Sequence, residues 1–141
     1  MNAKFPLDYL EFMAATNGGL AVGTGDDLFV SFLYNESQKP KPQAAILRCI
    51  FPIGSPEIKA KGDIIGFEEC LINLRIAESG FPGNLLPVAQ SDCGMILGMY
   101  LGGDKNRYVH AFSSDYGFTE GGYHVSNSFR EFVDGVFLRK W

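Results

Sequence analysis

Apolar residues along the chain follow two spacings, and the switches between them outline the elements. Leu7, Tyr9, Leu10, Phe12 and Met13, interleaved with Asp8 and Glu11, predict a helix from about Pro6 to Thr16. Pro6 suits a first helical turn, and early acids suit the positive end of the helix dipole. Asn17-Gly18-Gly19 then provides residues that tolerate the left-handed conformation of a helix end. Short apolar runs follow: Leu20 to Val22 and Leu28 to Leu33 read as strands joined by the turn Gly23-Thr24-Gly25-Asp26-Asp27. Asn35 to Gln43, with Pro40 and Pro42, is a polar loop. Ala45 to Ile53 is a strand, and Gly54 to Gly62 is a second loop. Ile65, Leu71, Leu74 and Ile76 fall among Glu68, Glu69, Asn73 and Arg75 without a period of two, so Ile64 to Ala77 is expected to be helical.

Beyond Gly80, Pro82 and Gly83 the pattern becomes that of a meander. Leu86 to Ala89, Met95 to Leu101 and Tyr108 to Ser113 read as successive strands, with turns at Asp92-Cys93-Gly94 and Gly102-Gly103-Asp104. A turn at Asp115 to Gly122 precedes a short strand, Tyr123 to Val125. Ser128-Phe129-Arg130-Glu131 has the spacing of a capping box, in which Ser and Glu side chains each satisfy a backbone N–H of the other residue. Phe129, Phe132, Val133 and Val136 follow at helical spacing and draw one apolar stripe. Strands bracketed by helices, without regular alternation, indicate an α+β fold: a mainly antiparallel sheet flanked by helices, in one domain spanning residues 1–141.

The 141 residues, 46% hydrophobic and 20% charged, are enough to bury a real core without metal or disulfide support. No apolar run approaches the roughly 20 residues of a membrane span, and Asp8 and Glu11 interrupt the region where a secretory signal would be apolar. The expected address is therefore the cytoplasm. A net charge of -4 argues against a nucleic-acid grip built on basic residues. Its distribution is uneven. Between Phe5 and Gln38 stand Asp8, Glu11, Asp26, Asp27 and Glu36 without a Lys or Arg, and from Val109 to Phe129 stand Asp115 and Glu120, again without one. If the two stretches meet in space they favour a cationic partner.

Cys49, Cys70 and Cys93 are odd in number and widely spaced, as expected of reduced thiols serving as small buried hydrophobes. The sequence contains no Gly-x-Ser-x-Gly elbow, phosphate loop, dinucleotide fingerprint or His-Glu-x-x-His motif. Gly25-Asp26-Asp27 superficially resembles a magnesium-binding aspartate pair, but two-metal chemistry needs further carboxylates, so it reads as loop or contact chemistry. His110 lies on the same strand face as Tyr108 and Phe112, the place of a structural imidazole, and His124 follows Tyr123 on a short strand. No enzyme activity, metal or cofactor is expected.

Three motifs in order carry a family resemblance: the early Asn17-Gly18-Gly19, the strand–turn–strand run Leu86-Pro87-Val88-Ala89-Gln90-Ser91-Asp92-Cys93-Gly94-Met95, and the closing Ser128-Phe129-Arg130-Glu131-Phe132-Val133. From about Phe5 to Val136 the chain resembles the SMI1/KNR4 family of the SUKH superfamily. Gly94-Met95 departs from the Gly-Gly-Asn or Gly-Asn of many relatives. The resemblance implies an α+β domain. It also implies a function: bacterial relatives are mostly immunity proteins of polymorphic toxin systems, and fungal relatives are regulatory adaptors in cell-wall signalling. Scaffold residues would be shared across such a family, so recognition belongs on exposed loops. The expected partner is a cognate toxin domain with a basic, phosphate-holding groove, such as a nuclease. Asp26, Asp27, Glu36, Asp115 and Glu120 are the candidate steering acids, and Tyr34, Tyr116, Phe118 and Tyr123 are candidate anchors. An adaptor without a toxin is the alternative, and a small hydrolase using His110 or His124 the distant one.

Overall fold

The computed structural model describes residues 6–16, 19–20, 28–36, 39–51, 84–113 and 122–140. In chain order they form α1 (Leu7–Thr16), β1 (Gly19–Leu20), β2 (Leu28–Tyr34), β3 (Gln43–Ile50), β4 (Leu85–Ser91), β5 (Ile96–Tyr100), β6 (Val109–Phe112), β7 (Tyr123–Ser126), α2 (Phe129–Asp134) and β8 (Phe137–Lys140). The strands make one sheet in the order β7-β6-β5-β4-β3-β2-β8, with β1 paired to β3, and every pairing is antiparallel. The expected helix over residues 64–77 lies outside the described residues.

The meander read from the sequence is present as β4-β5-β6-β7. Its first turn is tied by Ser91, whose hydroxyl accepts the Met95 N–H at 2.9 Å, while Gly94 takes φ +90, where a side chain would be strained. The tie leaves the turn tip outside the sheet, so Cys93 is exposed, contrary to its expected burial; only Cys49 of the described cysteines is buried. Burial raises the Cys49 thiol pKa above its ordinary 9.0, with partial opposition from Arg48.

Neighbouring residues point to opposite faces of a strand, and the burial pattern follows this rule. Leu86, Met99 and Ala111 join Tyr9, Met13, Phe32, Leu97, Val109, Phe129 and Phe132 in the principal core. Leu85, Tyr100 and Phe112 form a second cluster on the other face. Both described helices thus bury their apolar sides in the principal core. The sheet also curls: β7, at one end of the strand order, returns to the far end of β2, where the Asn35 N–H donates to the His124 carbonyl at 2.8 Å and the Tyr34 and Tyr123 rings lie 5.7 Å apart.

The closing segment corrects the sequence reading. Helix α2 stops at Asp134, with Gly135 donating to the Glu131 and Phe132 carbonyls, and Val136 lies beyond it. Phe137 to Lys140 instead pair with Leu28 to Ser31 of β2. Gly135 is a poor helix former, Val136 and Phe137 favour strands, and an unfilled edge of β2 offers them a ladder. Val136 still packs on the core, as the apolar stripe required. Among the described residues no helix is long and apolar enough to cross a membrane.

Candidate partner-binding surface

Helices α1 and α2 meet through Phe129. Its ring takes edge contacts from Tyr9 at 5.0 Å and Phe12 at 5.2 Å, geometry that suits the opposed charge of ring face and edge. A polar tie accompanies this packing. Ser128 caps α2 by accepting the Glu131 N–H at 3.1 Å, but the reciprocal Glu131 contact expected of a capping box is absent among the described residues. Asp8 of α1 supplies a second acceptor instead: one carboxylate oxygen accepts the Arg130 N–H at 2.9 Å and the other accepts the Tyr9 N–H at 2.9 Å. One side chain therefore satisfies N–H groups at the starts of both helices, where negative charge is also favoured by the helix dipole.

A groove of about 280 Å³ runs between the helices, lined by Asp8, Glu11, Phe12, Phe129, Arg130, Val133 and Asp134. On the other side of α2 a smaller hollow of about 210 Å³ is lined by Phe32, Leu33, Val125, Ser126, Glu131, Phe132 and Gly135. Charge is segregated around them. Among the described residues the helices carry four acids (Asp8, Glu11, Glu131, Asp134) and one base (Arg130), a balance of -3. The remaining described residues carry three acids (Glu36, Asp92, Asp104) and seven bases (Lys39, Lys41, Arg48, Lys105, Arg107, Arg139, Lys140), a balance of +4.

Of the residues singled out from sequence, Glu36 is described. It is half-buried just past β2, with Lys39 3.2 Å away, so its charge is partly answered within its own loop. Nearby Tyr34 has its phenol pKa raised, first by burial and then by the Glu36 carboxylate. Asp26, Asp27, Asp115, Tyr116 and Glu120 lie outside the described residues. The two stretches lacking Lys and Arg do meet, at Asn35 with His124 and at α1 with Phe129. The base-free stretches include Asp8 and Glu11 but end at Phe129, so they leave out the α2 acids Glu131 and Asp134. The available signal was Asp134, one turn from Arg130 on the groove side of α2, while Glu131 lines the hollow on the other side.

The two histidines come together on the outer face of the sheet. Their ring centroids are 5.5 Å apart, His110 is buried between Tyr100, Tyr108 and Phe112, and His124 Nε2 lies 2.8 Å from Asn127 Oδ1. This is the aromatic setting expected of a structural imidazole. Among the described residues no three His, Cys, Asp or Glu side chains converge as metal ligands.

Comparison with known proteins gives one positive finding. No curated protein and no solved structure shows a significant match. The family model described as SMI1 / KNR4 family (SUKH-1) matches residues 1–135, from before α1 to the end of α2. With 135 of 141 residues matched, this chain belongs to the SMI1/KNR4 family (SUKH-1).

Proposed function

We propose that this protein is a cytoplasmic immunity protein that neutralises a cognate toxin domain by covering its active site, without catalysis of its own. Family membership supports a protein-binding role of this kind. The observation that carries the choice of partner chemistry is the balance of -3 on the described helices, against +4 on the other described residues. A toxin that handles nucleic acid has a basic groove, and an acidic surface competes with phosphate there while accelerating encounter. In this reading Asp26, Asp27, Glu36, Asp115 and Glu120 extend the negative field and Tyr116 is an anchor. Apolar hollows beside α2 add contacts that slow dissociation, which charge alone does poorly.

The test is co-expression with the toxin domain encoded beside its gene. Cell survival that depends on this protein, together with a stable purified complex, is the expected result. A toxin equally lethal in its presence contradicts the proposal. A protein that forms complexes yet protects against no toxin favours the adaptor reading.

A further inference from the structure

We infer that the groove between α1 and α2 takes a lysine or arginine side chain from an apolar and basic segment of a protein partner, with Glu11 as its counter-ion; the inference rests on the partner-binding reading above. The groove has an apolar floor of Phe12, Phe129 and Val133, and four charged residues stand around it. Three are already engaged. Asp8 accepts two backbone N–H groups, and Arg130 and Asp134 lie 3.6 Å apart as an exposed pair. Glu11 is exposed and makes no hydrogen bond or ion pair among the described residues. A free carboxylate beside an apolar floor suits a side chain with an apolar stem and a cationic head, since the stem covers the floor while the head stays at the rim. An acidic segment would meet the surplus of carboxylates, and a purely apolar one would strip water from them without return. One turn from Glu11, Leu7 is 68% exposed, and Leu10 is 42% exposed, extending the apolar contact along α1 beyond the groove.

The experiment is an amide-resolved NMR titration with a short Leu/Arg amphipathic peptide and its Leu/Glu counterpart, on the wild type, Glu11→Gln and Glu11→Lys. The Leu/Arg peptide should shift resonances of α1 and α2, with affinity falling about threefold in Glu11→Gln and about tenfold in Glu11→Lys, and the Leu/Glu peptide should bind far more weakly. Shifts confined to the strands, equal binding by Glu11→Lys, or equal binding of the two peptides would overturn the inference. Glu11 is exposed, so both variants should melt with the wild type. A second arm separates this claim from the immunity reading. If the wild type protects against the toxin and Glu11→Lys protects equally well at limiting expression, the groove is wrong and immunity stands. If neither protects while the Leu/Arg peptide still binds at the helices, immunity is wrong and the groove stands.

Discussion

The two faces of the sheet differ in what the described residues place on them. On the inner face, two short helices press Tyr9, Met13, Phe129 and Phe132 into the strands and leave Glu11, Glu131 and Asp134 exposed. On the outer face of β4, β5 and β6, Leu85 is fully buried against Gly98, and Tyr100, His110 and Phe112 make a row of ring contacts. Further along, the outer residues Phe29 and Leu33 of β2 are 43% and 45% exposed. A helix that covers a core has a second side free to vary, whereas the β4–β6 face is apolar throughout its described cluster. In the proposed function, exposed helix positions such as Glu11 can vary without disturbing the core, whereas Asp8 cannot, because it ties both helix starts.

The largest way to break this contrast is through the inner face. Phe132→Ala leaves a cavity between α2 and Phe32, whose ring lies 6.1 Å away, and should lower stability by about 3–5 kcal/mol, read as a large fall in the urea midpoint. An unchanged midpoint would mean that α2 does not cover the core. On the outer face Gly98→Val is the sharper probe. A Cβ at Gly98 would stand 2.6 Å from Leu85, so the branched side chain should cost about 1–3 kcal/mol by overpacking. Val at this position with full stability would show that Leu85 is not packed against Gly98.

Asp8→Ala should come next, at about 1 kcal/mol, because two helix-start N–H groups lose their acceptor. Glu11→Gln, one turn away, should leave the melting temperature unchanged, so the pair separates an acid that builds the surface from one left free on it. A pH series probes the buried groups. Burial raises the Tyr100 phenol above its ordinary 10.0 and the Cys49 thiol above 9.0. Both hold their protons more tightly when folded, so their contribution is complete below the unfolded values and is lost as pH rises through the raised ones. The melting temperature should thus fall from about pH 9 upward, and Tyr100→Phe should flatten the upper part of that fall.

Local chemistry made much of the fold legible. Alternation and turn residues marked β2 to β7 closely, since each strand has a buried side and each described meander turn has its glycine. Helix α1 was likewise marked by its apolar spacing. Strand β8 was not, because Phe137 to Lys140 becomes a strand only through the long-range offer of the β2 edge. The return of β7 to Asn35 has the same origin. The acidic character of the surface was legible as a count along two stretches, but its grouping was not. Asp8 and Arg130 are 122 positions apart, and only packing makes them neighbours.

The most direct test of the account is the amide hydrogen-exchange footprint of the toxin domain on this protein. Binding through the helices should slow exchange across residues 7–16 and 129–134 and leave the β5–β6 turn around Lys105 and Arg107 unaffected. A footprint on that basic turn, with both helices exchanging as in the free protein, would contradict it.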